Sequence, residues 1–236
     1  MAKKASAKKS PAKAAAKKAA AKKAPAKKAA AKKPPAMKQV EELLYQALET
    51  EMGGVEIYRT AILCAENEDL REEWTEYLEQ TERHVKVVRK VFDQLGLDPE
   101  TTTPGREIVH DKAMSLLSAM RKALAEAPEA AQIVAAECVV EAETKDHSNW
   151  HLIGAVAANA TGAMKEALKA AYDEVEDEED EHLYHTRGWC RELWLEALGL
   201  PAVLPPPEEK KDVKTAIAAA RAAAGRKAAP AKKGRR

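Results

Sequence analysis

AYDEVEDEEDEHLYHTRGWCREL, residues 171–193, is the stretch from which the fold can be read. Eight of the nine residues from Asp173 to Glu181 are acidic, yet Tyr172, Val175, Glu179, His182, Thr186, Trp189 and Leu193 recur at spacings of three and four, the mark of one helical face. That face is largely apolar and carries Glu179 and His182 at i and i+3. A bundle interior rejects an ionised carboxylate without a partner, because stripping its water is costly. The pair therefore marks Glu179 and His182 as candidate metal ligands, while most of the surrounding acidic run is a solvated face.

Outward from this helix, which the pattern extends over 163–198 with Gly199 and Pro201 as its stop, the same periodicity predicts further helices over 40–65, 70–95 and 129–158. A shorter helix over 108–124 follows the loop TTTPGRE and ends before Pro128. No segment alternates as a strand. Four long amphipathic helices with one extended middle connection predict an all-α four-helix bundle with a long helix 2 to helix 3 crossover containing the extra helix. The first long helix places Glu51 on its apolar stripe with Tyr58 seven residues later; the third places Glu143 there with His147 and Trp150 at plus four and plus seven; the second turns His84 inward. Glu51, His84, Glu143, Glu179 and His182 form the expected metal set, whose carboxylate and imidazole donors suit iron or manganese better than a closed structural zinc site. His147 is the first candidate for an extra ligand. His151 and His185 read as polar-face or supporting residues, and Tyr58, Trp150 and Trp189 as packing residues.

The Glu179-x-x-His182 pair and residues 78–99, LEQTERHVKVVRKVFDQLGLDP, resemble the ferritin-like superfamily. Within it, the second segment is similar to the bacterial stress-associated proteins of the DUF892 or YciE/YciF-like group. The resemblance covers about 40–198 and implies a centre of one or two iron or manganese ions and oxidation of Fe(II). The second helix departs from the pattern: Thr81 stands where bacterioferritin-type bundles carry Glu, and Gln80 where the YciE-like pattern carries an acid. Glu79 and Glu82 are the carboxylates a shifted register would offer.

The ends of the chain differ sharply from its middle. Residues 1–36 hold thirteen lysines and no acid: Lys3, Lys4, Lys8, Lys9, Lys13, Lys17, Lys18, Lys22, Lys23, Lys27, Lys28, Lys32 and Lys33, spaced by Ala with Pro at 11, 25, 34 and 35. Residues 205–236 hold ten basic residues against three acids, which leaves 37–204 near −19 within a chain of formal net charge +1. These boundaries give three expected parts: a disordered lysine-rich tail, a helical bundle and a basic C-terminal tail. The first tail lacks the large apolar side chains that would repay its ordering. Its charge suits phosphate backbones without base readout, so sequence-nonspecific, salt-sensitive DNA binding through these lysines is expected. The repeats resemble linker-histone (H1-like) and bacterial histone-like tails.

The N-terminus shows no secretory apolar core and no eighteen-residue apolar run occurs, which points to a cytoplasmic, nucleoid-associated protein without a membrane span. Cys64, Cys138 and Cys190 are odd in number and far apart, as reduced thiols are. The combined expectation is a DNA-associated ferritin-like protein, a homo-oligomer of dimer size or larger. The alternative is a non-enzymatic nucleoid architectural protein whose bundle oligomerises while its tails bind DNA.

Overall fold

The structure, a computed structural model, describes residues 35–209. The lysines expected to bind DNA, Lys3 to Lys33, lie outside the described residues, as does the basic segment 210–236. The described residues form α1 (Met37–Cys64), α2 (Glu68–Leu95), α3 (Pro104–Glu126), α4 (Ala131–Ala157) and α5 (Gly162–Ala197), with single 3-10 turns at Pro128–Ala130 and Pro207–Glu209 and no strand among them.

Local chemistry sets the helix ends. The Asn67 side chain accepts a hydrogen bond from the Leu70 amide at the start of α2, and Glu68 and Asp69 complement the helix dipole there. Gly96, at φ 67°, closes the same helix in the left-handed region. Helix α3 starts earlier than the sequence reading expects. Thr103 caps it by accepting from the Arg106 amide at 3.1 Å, and Pro104 occupies the first helical position, where its missing N–H costs nothing. Much of TTTPGRE is therefore a helix N-terminus rather than a loop.

Short connections at 65–67 and 158–161 make α1 and α2, and α4 and α5, antiparallel hairpins. Trp150 meets Glu51 and Tyr58 meets Glu143, so α1 and α4 run antiparallel; His84 meets Glu178 and Tyr77 meets His185, so α2 and α5 do too. With every neighbouring pair antiparallel, α2 ends where α1 begins and α4 must begin at the far end. A 28-residue helix is about 42 Å long, so this connection has to travel the length of the bundle. Helix α3 does so, packing on α1 and α4. At one end the Tyr45 hydroxyl donates to the Asp98 carbonyl; at the other, Gln132 Oε1 accepts from the amides of Glu66 and Asn67. The expected all-α bundle and its helical crossover are thus present.

Two apolar clusters fill the interior. One gathers Leu44, Leu48, Phe92, Ile153 and Leu168 around Trp150; the other gathers Leu70, Trp74, Met120, Val139 and Trp189. Along all four bundle helices a polar layer separates them: Glu51 on α1, Gln80 to His84 on α2, Glu143 and Asp146 on α4, Glu179 and His182 on α5. Close approach of α4 and α5 requires Gly154, where an added Cβ would lie 2.5 Å from the Tyr172 ring. Packing continues beyond Leu204 into the segment assigned from charge to the basic C-terminal tail. Glu208 is buried and takes a bidentate hydrogen bond from Arg191, and Gly188 leaves room for Pro206. No helix of the described residues is long and apolar enough to cross a membrane.

Candidate metal centre

All five residues expected as ligands meet in the polar layer, and none is more than 4 % exposed. His84 Nδ1 lies 3.0 Å from Glu179 Oε1 and 3.7 Å from Glu51 Oε2, while His182 Nδ1 lies 3.7 Å from Glu143 Oε2 and 3.6 Å from Glu179 Oε1. Asp146 joins them, as buried as Glu143, so that Glu51, Asp146 and Glu179 form one possible cation cage and His84, Glu179 and His182 another. Asp146 is absent from the set expected from the sequence. The available signal was its i+3 spacing from Glu143, which equals the spacing of Glu179 and His182.

The carboxylates are held by an exchange between antiparallel helices. Glu51 and Tyr58 are seven residues apart on α1, as are Glu143 and Trp150 on α4. Laid antiparallel, each glutamate meets the other helix's aromatic donor: the Trp150 indole N–H donates to Glu51 Oε1 at 2.7 Å and the Tyr58 hydroxyl to Glu143 Oε1 at 2.8 Å. Each glutamate keeps its second oxygen, Oε2, buried and without a partner. Tyr58 and Trp150 thus do more than pack, since each fixes one oxygen and leaves the other aimed inward.

The histidines follow the same scheme. Gln80 precedes His84 by four residues and Glu178 precedes His182 by four, so antiparallel α2 and α5 clasp each imidazole with the other helix's residue. His84 Nε2 donates to Glu178 Oε2 at 2.8 Å. Gln80 spends its amide N–H on Glu76, so its oxygen faces His182 and accepts from Nε2 at 2.5 Å. With the hydrogen on Nε2, Nδ1 of each ring presents a lone pair, and both Nδ1 atoms are buried and unpaired. Such clasping of the remote nitrogen is how metal-binding histidines are oriented.

Two positions break this quasi-twofold arrangement. The counterpart of Glu179, three residues before its histidine, is Thr81 on α2; the counterpart of Asp146, three residues after its glutamate, is Gly54 on α1. Helix α2 supplies no carboxylate to the centre: Glu82 is half exposed and bound to Arg59, and Glu79 faces solvent. The Thr81 hydroxyl donates to the Tyr77 carbonyl instead. The extra negative charge therefore comes from α4 and α5.

Electrostatics in the layer are frustrated. Burial pushes the Glu51, Asp146 and Glu179 carboxyls well above the ordinary range, and the neighbouring carboxylates add to the rise. Burial also lifts Glu143, to about 7, against the opposing pull of its Tyr58 hydrogen bond and of His84. Burial, followed by the neighbouring His84, lowers His182 well below the usual imidazole value. Lone pairs facing carboxylate oxygens repel, and four acids with two imidazoles in one dry layer are stable only with extra protons or with cations. Oxygen donors together with imidazole nitrogens could hold a metal ion.

His147, the first candidate for an extra ligand, lies outside the centre. Its Nε2 donates to Asp180 at 2.8 Å on the partly exposed α4–α5 surface, because i+4 from Glu143 carries it round to the outer face. His151 is exposed, whereas His185 is buried in a separate cluster below Tyr77. Set against family models, curated proteins and solved structures, the chain matches none.

Proposed function

We propose that this bundle is a ferritin-like two-metal protein for iron or manganese and that its lysine-rich arms tether it to DNA. The observation that carries the metal reading is the convergence of six buried side chains from four helices, each with an unpartnered donor atom: Glu51, His84, Glu143, Asp146, Glu179 and His182. Two divalent cations cancel the formal charge of four carboxylates beside two neutral imidazoles, and one does not. The antiparallel pairs with a length-spanning crossover support the ferritin-like assignment.

Fe(II) held there is a substrate for oxidation by oxygen or peroxide, and removing it near DNA is the protective role that the arms suggest. Around the cations, Tyr58 and Trp150 fix the orientation of Glu143 and Glu51, Gln80 and Glu178 fix the imidazoles, and the two apolar clusters exclude bulk water. Metal analysis of protein purified without a histidine tag, followed by Fe(II) oxidation in wild type and Glu179→Ala, tests the reading. Bound metal and a rate lost in the variant are expected; metal-free protein with equal rates in both would sink it.

The carboxylate missing from α2 favours a second reading, a non-enzymatic nucleoid architectural protein in which the bundle joins copies of the chain and the arms compact DNA. Duplex DNA binding should weaken steeply with salt and on deletion of residues 1–36 in both readings. Salt-independent binding, or binding unchanged by the deletion, would remove DNA from both.

A further inference from the structure

A second group of metal-binding side chains lies away from the central layer, where α2, α5 and the C-terminal 3-10 turn meet. His185 Nδ1 is 3.7 Å from Glu73 Oε1 and 3.7 Å from Glu209 Oε2. The three line a cleft of about 380 Å³ shared with Asp69, Glu76 and Glu181, and neither Lys nor Arg is among the described residues lining it. Acidity alone would mean little on a surface this negative. Here two of the donors are withdrawn from water, His185 at 8 % exposure and the Glu73 side chain at 11 %; the Glu209 side chain is 26 % exposed, but Oε1 of both Glu73 and Glu209 is enclosed without any hydrogen-bond partner.

The fold also works to bring these like charges together. Glu73 is anchored through its other oxygen by the Trp189 indole N–H at 2.6 Å, which leaves Oε1 toward His185. Glu209 comes from a segment held on α5 by Arg191 and Glu208 and by the Val203 amide donating to Glu192 at 2.8 Å. Two carboxylates delivered by separate anchors to one buried imidazole lack only a positive charge.

We propose that Glu73, His185 and Glu209 form a second divalent-cation site, suited to a borderline first-row ion. Its donors, two carboxylates and one imidazole, leave coordination positions open toward the cleft. Tyr77 is the wall between this site and the central one: its hydroxyl is hydrogen-bonded to His185 Nδ1 at 2.8 Å, as donor whenever that nitrogen carries its lone pair, and its ring lies 4.2 Å, centroid to centroid, from that of His182. The hydroxyl thus occupies the lone pair that a cation would take, and a bound cation would displace it.

Equilibrium dialysis of the full chain against Co(II) tests the site. Glu209→Gln keeps the shape of the turn and should lose one equivalent of cobalt relative to wild type. Tyr77→Phe, which frees the His185 lone pair, should tighten that equivalent about tenfold. Running the same pair in a Glu179→Gln background separates the two sites, because a difference due to Glu209 persists there whether or not the central layer binds metal. Full wild-type stoichiometry in Glu209→Gln, with circular dichroism showing the fold intact, would overturn the proposal.

Discussion

The ends of the bundle and its middle layer are built from the same four helices by opposite rules. At the ends, residues such as Leu44, Phe92, Trp74 and Met120 face one another, so each contributes by leaving water. In the middle, Glu51, Glu143, Asp146 and Glu179 face one another, so each raises the energy of the rest. The ends hold the helices in register, and that register forces the middle together. Stability is concentrated in the apolar ends, and the candidate centre is a tolerated strain.

Truncation at the ends should have the largest effect on the contrast. Phe92→Ala should destabilise the chain by about 3–5 kcal/mol in urea titrations, equally with chelator and with Mn(II). A cost that vanished on adding metal would show that ends and middle are coupled rather than separate. In the middle a size-matched substitution should have the opposite sign. Glu179→Gln, made in a Glu209→Gln background so that only the central layer is read, should raise the chelator-treated melting temperature while losing the metal-induced stabilisation, which with Glu179 present amounts to about 2.7 kcal/mol per bound ion at a hundredfold excess over Kd. Stabilisation by metal retained in the variant would remove Glu179 from the centre.

Proton linkage sharpens the comparison further. The buried carboxyls titrate higher in the folded chain than in the unfolded one, Glu143 at about 7, so the native state holds the extra protons. His182 acts in the opposite sense, but only below its unfolded value near 6.5. Above pH 6.5, metal-free stability should therefore fall with rising pH, by up to about 1.4 kcal/mol per pH unit for each excess proton. Urea midpoints at pH 6.5 and 8.5 check this, and with Mn(II) present the trend should reverse, because cations displace the same protons. The smallest effect is expected at Gln80→Met, which removes the acceptor for His182 Nε2 without adding charge: metal affinity should drop about 10-fold, and the orphaned N–H should cost about 1 kcal/mol in metal-free stability. Isothermal titration with Mn(II) measures it, and unchanged affinity would make the clasp incidental.

The helices were most legible where, as in α2 and α5, a helix keeps a solvent face, which leaves an apolar stripe in the sequence; Glu179 and His182 stand on such a stripe. Helix α4 is different. It is flanked by α1, α3 and α5, so small and apolar residues run round it and no single face stands out. That is why Asp146, lost in the polar run ETKDHSN, escaped notice and His147 took its place. The clasp by Gln80 was hidden for another reason: it is a cross-helix pairing, and the same glutamine read in isolation looks only like a missing acid. Glu209 was concealed by its neighbours Lys210 and Lys211, whose charge made the whole segment read as tail.

Helix α3 lies along α1 and α4, whereas among the described residues the face made by α2 and α5 carries only the C-terminal 3-10 turn, at its Glu73–His185 end. The polar layer consequently has a back and a front. Its aromatic-anchored glutamates belong to the doubly covered back, while both imidazoles, and the partly exposed Glu178 that clasps one of them, belong to the front. Topology alone thus gives the centre two unlike sides: the oxygens anchored by Trp150 and Tyr58 lie on the pair of helices that α3 covers, and both imidazoles lie on the pair that it does not.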